Sequence, residues 1–311
     1  MNKLKKIGLT ALAGSLVAGT VNAAEMSVTG SAGITFTGLD SSEVSGNGFT
    51  MGDSLTFSAS GDVNDIGITL SYELDGQGAA TDTFDDHSIT LDFGDAGTLV
   101  FAGHGGSSAV SARDDVMPTA KEEPWDVVTG ADTGIINGAS GENMFNYKYN
   151  HESGVLLNVA YLPSSATMAE SYTDFAVEYT GVDGLRLGIA MGESEATAGT
   201  EIEEDTMFAT YAMGGITVGL QMSEFDTSAA SGDTESTGFG ISYQINDDLT
   251  VSYGSHEIEK DGSDDQESSA IGFSYTMGSM SISATMNKVD NVAHTSTSDL
   301  QSYEAGVSFS F

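Results

Sequence analysis

The chain has no cysteine, three prolines, one tryptophan, and nine basic residues against 46 acidic ones. Each shortage excludes something. Without cysteine no disulfide staples the fold, and neither a thiol nucleophile nor a thiolate metal site is available. So few lysines and arginines leave no basic face for a phosphate backbone, so nucleic acid is not an expected partner. Scarce proline beside 39 glycines suits many strands joined by turns. No run after residue 23 reaches the roughly 18 consecutive apolar residues of a membrane-spanning helix. Nor is this a disordered acidic polymer, because 39% of the residues are hydrophobic and aromatics occur throughout.

A catalytic constellation is missing too. The five histidines (His87, His104, His151, His256, His294) are scattered, and no His-x-x-x-His pairing occurs. Gly103-His104-Gly105-Gly106 lacks the lysine of a phosphate loop and reads as a hinge. The expectation is a protein that is not an enzyme.

What is present begins with an export address. Lys3, Lys5 and Lys6 precede a mostly apolar run, Ile7 to Val21, and Val21-Asn22-Ala23 places small residues where a signal peptidase cuts. Residues 1–23 are expected to be a signal peptide cleaved after Ala23, and residues 24–311 a single domain. Cleavage leaves six basic residues: Arg113, Lys121, Lys148, Arg186, Lys260 and Lys288.

From Met26 onward apolar residues fall on every second position, as in Met26, Val28, Gly30, Ala32, Ile34 and Phe36. That period belongs to a strand with one apolar and one polar face. The pattern recurs sixteen times, ending with Tyr303, Ala305, Val307, Phe309 and Phe311. Connections alternate between short and long. Short ones, such as Gly61–Asp65, Thr180–Gly184 and Gly214-Gly215, hold the turn formers of hairpins. Long ones, such as Gly192–Thr206 and Gly254–Ser268, are polar and acidic. Tight turns on one side, long loops on the other and an even strand number describe a transmembrane barrel. Sixteen strands enclose water, whereas eight would be filled by side chains. The expected fold is an all-β, sixteen-stranded antiparallel barrel.

These features resemble the general-diffusion porins of Gram-negative bacteria, most closely the sixteen-stranded porins of alphaproteobacteria. The sharpest motif is the terminus Tyr303-Glu304-Ala305-Gly306-Val307-Ser308-Phe309-Ser310-Phe311. The resemblance implies that Tyr303, Val307, Phe309 and Phe311 form the signal read by the barrel-assembly machinery. It also implies a homotrimer in the bacterial outer membrane, in contact with lipid and lipopolysaccharide, passing ions and small hydrophilic solutes. The third long connection, Gly103 to Asn143, is then expected to fold into the lumen and constrict it. Candidate constriction residues are Arg113, Asp114, Asp115, Lys121, Glu122, Glu123 and Asp126, with Asp132 further along and Trp125 as a brace. The family's usual Pro-Glu-Phe-Gly-Gly-type sequence is missing there, which leaves the loop's path open.

Parity assigns the lumenal charges. Glu73, Asp92, Lys148, Asp174, Glu178, Arg186 and Glu304 fall on the polar face. Lys148 and Arg186 could form the positive side of a pore field against the acids of the long connection, although Glu178, across a tight turn from Arg186, offers that arginine a plain ion pair instead. With most acids placed in loops and the rest facing the lumen, the expectation is cation selectivity. No cofactor is expected, although Asp261-Gly262-Ser263-Asp264-Asp265-Gln266-Glu267 offers oxygen ligands of the kind calcium takes. Gly30 and Ala32 on the apolar face could mark a trimer surface. Two alternatives stay open: a substrate-specific channel, and a secreted β-rich adhesive or binding protein. Stacked aromatics on the polar face, which would favour a sugar channel, do not occur.

Overall fold

The structure, a computed structural model, describes residues 25–39, 48–76, 85–133, 136, 138–141, 143–164, 171–195, 201–228 and 232–311. The expected signal segment and its cleavage point at Ala23 lie outside these residues. The strands are β1 (Glu25–Leu39), β2 (Phe49–Val63), β3 (Ile66–Asp75), β4 (His87–Asp92), β5 (Thr98–His104), β6 (Gly106–Ser107), β7 (Ser140–Gly141), β8 (Met144–Asn150) and β9 (Val155–Leu162). They continue with β10 (Ser171–Val182), β11 (Leu185–Glu195), β12 (Ile202–Met213), β13 (Ile216–Thr227), β14 (Thr234–Asn246), β15 (Leu249–Lys260), β16 (Gln266–Met277), β17 (Met280–Asp290) and β18 (Leu300–Ser310). Sixteen of them close into one antiparallel barrel, each pairing with its neighbour in sequence except that β5 pairs with β8 and β18 with β1. The two left over, β6 and β7, make a two-stranded ribbon inside the long connection.

The β1–β18 seam pairs from Leu39 with Ser302 to Ser31 with Ser310 and extends to Phe311. Phe311 accepts a hydrogen bond from Gly30 N (2.8 Å) and donates one back to Gly30 O (2.9 Å). Its ring lies over Gly30, where an added Cβ would stand 2.8 Å from Phe311 Cε2 and 2.7 Å from Leu55 Cδ2. The small size of Gly30 is therefore used within this chain.

The turns follow backbone chemistry. Between β2 and β3 the expected five-residue turn contracts to Asn64 and Asp65, with φ of 51° and 64°. Two left-handed residues in succession make the hairpin turn whose twist matches its strands, and Asn and Asp tolerate that conformation best after glycine. Beside the tight turns runs a row of tyrosines, Tyr147, Tyr179, Tyr211 and Tyr243, each exposed on the apolar side. Several rest against turn glycines: a Cβ on Gly181 would meet the Tyr179 ring at 2.6 Å, and one on Gly97 the Tyr147 hydroxyl at 2.8 Å. Such rings, apolar in body and polar at the tip, suit a membrane–water boundary.

At the other end the strands run further than hydropathy indicates. The expected loops Gly192–Thr206 and Gly254–Ser268 are largely strand, since β11 continues to Glu195, β12 begins at Ile202, β15 continues to Lys260 and β16 begins at Gln266. Residues 196–200 of the first loop lie outside the described ones. The placing of most acids in loops is corrected accordingly. Asp205, Glu224, Glu235 and Glu259 are in-register neighbours on β12–β15, as are Glu257, Glu267 and Asp290 on β15–β17. By alternation they share the outward face of Met207, Met222, Phe239 and Tyr253. Backbone pairing needs no apolar side chains, so the wall rises past the apolar band with both faces polar.

Candidate functional site

The alternation sorts the wall into two faces. One carries a band of large exposed apolar side chains on strand after strand, among them Met51 (64% exposed), Met207 (58%), Ile271 (56%) and Phe309 (45%). A band this extensive is a surface made for lipid or a protein partner. The opposite face is hydroxyl, amide and charge. Against that polar face lies the long connection between β5 and β8.

Its seat is assembled from side chains on many strands. Asp174 of β10, 1% exposed, accepts hydrogen bonds from Ala109 N (3.1 Å) and Val110 N (2.7 Å). Gln221 of β13 accepts from Val116 N (3.0 Å) and donates to the carbonyls of Arg113 (2.9 Å) and Asp114 (3.0 Å). Ser252 of β15 accepts from Ala120 N, and Asn287 of β17 donates to Glu123 O. Gln266 of β16 clasps Asp132 through both its backbone groups, at 2.8 and 2.7 Å. Side-chain amides thus take the place of a neighbouring strand for loop backbone that could not otherwise be buried.

Close approach requires a wall without side chains. A Cβ on Gly219 would stand 2.5 Å from Pro118 Cδ, and one on Gly240 2.9 Å from the same atom and 3.0 Å from the Pro118 carbonyl oxygen. One on Gly238 would reach the Met117 sulfur at 2.2 Å, and one on Gly254 the Pro124 ring at 3.0 Å. These inward-facing glycines are the functional positions that sequence reasoning missed. Their signal is in the chain: glycine recurring on one face in strand interiors, where it weakens pairing and marks close approach of another backbone.

Charges in and around the loop are largely paired. Arg113 lies in the loop as expected, but its guanidinium points to the wall and is buried. It meets Glu178 at 2.6 Å and donates to Ala109 O and Asn158 Oδ1. Glu178 also binds Arg186 at 2.6 Å, so the cross-turn ion pair is present and extended by a second arginine. Arg186 further stacks over Phe208. Lys121 pairs with Glu122 and reaches Glu304 on β18 at 3.2 Å. Glu304 also accepts from Thr37 Oγ1 across the seam. Trp125, 3% exposed, packs on buried His256 with ring centroids 4.2 Å apart.

Four loop carboxylates keep unusual company. Burial raises the pKa of Asp114 and Asp115. Burial, then the proximity of Asp115, pushes Glu123 up to about 7. Burial and adjacent Glu123 do the same to Asp126, up to about 7, although part of its surface still meets water. Glu122, Glu123 and Asp126 bring ligand atoms within 4.8 Å of one another, the one such carboxylate group among the described residues. In the acidic run 261–267 the carbonyls of Asp264 and Asp265 contact His294 Nδ1 and Asn291 Nδ2. Of the remaining polar-face charges, Glu73 and Asp75 stand on β3, Asp92 turns back to accept from Gly94 N (2.9 Å), and Lys148 is exposed on β8.

The sequence matches the family described as Gram-negative porin over residues 8–311. No curated protein matches it. Among solved structures it is similar to the trimer form of OmpT, an outer-membrane protein of Vibrio cholerae, with a TM-score of 0.69, 11% identity and coverage of 93% of this chain and 100% of that one. It is similar as well to an anion-selective porin from Comamonas acidovorans (TM-score 0.68, 14% identity, 93% and 100% covered). A mutant porin of Rh. blastica gives 0.66, 14%, 92% and 100%. These identities speak for the fold, and the family match for the kinship. A closed sixteen-stranded barrel with an outward apolar band, matched along nearly its whole length, places the chain in the bacterial outer membrane as a channel: it belongs to the Gram-negative porin family.

Proposed function

We propose that the chain forms a water-filled, cation-selective channel for passive diffusion of ions and small hydrophilic solutes, narrowed by the loop between β5 and β8. The observation that carries this reading is the burial pattern of the polar face. Inward residues of β10–β17 such as Asp174, Glu204, Gln221, Ser236, Gln266 and Asn287 are buried under the loop. No described inward residue of β1–β4 is buried. The wall is thus covered on most of its strands and left open along the four strands β1–β4.

The charge balance supports the selectivity. Arg113 and Arg186 are engaged with Glu178, and Lys121 with Glu122 and Glu304. Glu122 and Asp126 keep solvent contact on the loop. Fixed carboxylates around an aqueous path raise the local concentration of cations. A trimer is the assembly that this reading adopts, as in the OmpT form, with the C-terminal strand read by the barrel-assembly machinery. The test is a planar-bilayer recording under a salt gradient. Stepwise conductance with a cation-selective reversal potential is expected, and an anion-selective one would overturn the charge argument.

A further inference from the structure

The open wall of β1–β4 has a chemistry of its own. Residues 7 to 112 contain no lysine or arginine, so β1–β5 place no ammonium or guanidinium group on either face. What they place inward is mostly hydroxyl, with the carboxylates Glu73, Asp75 and Asp92 beside it. Ser27, Ser58, Ser71 and Ser88 form one continuous cross-strand row over β1–β4, each the register partner of the next. Their chain neighbours Val28, Phe57, Tyr72 and Ile89 point outward. Thr29 pairs with Thr56 one step higher. Counted from the tight turns, Ser58 and Ser71 stand at the height of Gly240 and Gly272, where the loop lies on the far wall. At that count from the turns, the loop faces a surface made mostly of hydroxyl groups.

We propose that this serine and threonine face of β1–β4 is the specificity-determining wall of the pore, admitting cationic and neutral hydroxylated solutes and turning away anions of the same size. The inference rests on the channel reading above and adds the side and the residues. A hydroxyl both donates and accepts, so it rotates to present oxygen to a cation or to exchange hydrogen bonds with a sugar-like solute. It carries no net charge to offset the carboxylates opposite. An anion finds no cationic partner on this wall and pays desolvation without return. The sign of any charge placed at Ser58 consequently sets the preference of the pore. Its row neighbours are Ser27 and Ser71, and the nearest acids on the face, Glu25 and Glu73, stand one step away diagonally.

The absence of cysteine makes the test clean. Ser58→Cys and Ser71→Cys place a thiol on the open wall, and Ser236→Cys places one on β14 where Ser236 is 7% exposed. Each variant, folded and reconstituted in a bilayer, is exposed to small cationic and anionic methanethiosulfonates while current is recorded. At positions 58 and 71 the cationic reagent is expected to react about tenfold faster than the anionic one, by electrostatic focusing. Attachment of the positive group is expected to shift the reversal potential toward anions. Position 236 should stay unmodified over the same interval. Equal reaction at 58 and 236, or an unchanged reversal potential after modification at 58, overturns the proposal while the channel reading stands. A parent protein without conductance steps sinks both.

Discussion

The buried cluster of Arg113, Glu178 and Arg186 makes a quantitative prediction about the loop. In Glu178→Gln the side-chain volume is kept, but Arg113, whose side chain is 4% exposed, loses its carboxylate partner at 2.6 Å. Its other acceptors, Ala109 O and Asn158 Oδ1, are neutral. Leaving a buried charge without its partner costs about 3–5 kcal/mol. Arg186 adds little, because its side chain is 37% exposed and water can take over. The cheapest relief is for the loop segment around Arg113 to lift off the wall, since the barrel ladder does not depend on it. At about 1.4 kcal/mol per factor of ten, the lifted population rises by roughly a hundredfold or more. Limited trypsin digestion in detergent reads this directly. Cleavage after Arg113 should accelerate in proportion to the open population, provided opening is fast relative to cutting. Arg186 in the wall serves as an internal reference and should remain uncut. Cleavage at Arg113 no faster than in the parent protein would refute the reasoning, and simultaneous cleavage at Arg186 would show that the wall, not the loop, had given way.

Further expectations concern the seat, the titrating carboxylates and the outer wall. Gly240→Val pushes a side chain into the rigid ring and carbonyl of Pro118, an overpacking of about 1–3 kcal/mol that the loop relieves by moving toward the open wall, so single-channel conductance should fall. Gly61→Val, with nothing within 4 Å, should leave conductance unchanged and serves as the comparison. Glu123 and Asp126, both raised to about 7, are neutral well below that pH and charged above it. Cation selectivity should therefore grow between pH 6 and 8, on the order of one unit either side of 7, with a flatter profile in Glu123→Gln. Seating follows the opposite sign: a carboxyl group raised in the folded state stabilises that state at low pH, and the contribution is lost as pH rises from the ordinary carboxylate range through about 7. The in-register row Asp205, Glu224, Glu235 and Glu259 places like charges directly opposite one another, which is destabilising. Raising salt from about 0.01 M to 0.1 M shortens the screening length from about 30 Å to 10 Å and should raise the melting temperature, less so in Glu224→Gln.

The barrel was legible because lipid imposes a simple rule. Wherever a strand crosses the apolar band, its outward positions must be apolar, and the alternation from Met26 to Phe311 marks all sixteen. The rule lapses where the wall leaves the band. At Glu203, Asp205, Glu257 and Glu259 both faces are polar, hydropathy shows no period, and continuing strand reads as loop. The Glu178–Arg186 pair was legible because a hairpin makes the two near neighbours. Arg113, the third member, arrives from a distant loop whose path no local pattern encodes. The seat was written in glycine, which in a strand-rich sequence is easily taken for turn punctuation. Gly219, Gly238 and Gly240 gain their meaning only when the polar face is known to be covered.

The loop's seat also bears on the order in which this protein comes together. The segment holding Arg113, Pro118 and Lys121 precedes in the chain nearly every residue that receives it. Its partners stretch from Asn158 on β9 to Glu304 on β18. The loop cannot settle until those later strands are paired. Its last contact, Lys121 with Glu304, lies on the strand that closes against β1. Insertion and closure are thus coupled late events. A chain stalled before its C-terminal strand docks would hold an unseated, acid-rich segment inside an open sheet. The loop's seat is completed by the same strand that removes the last free edge.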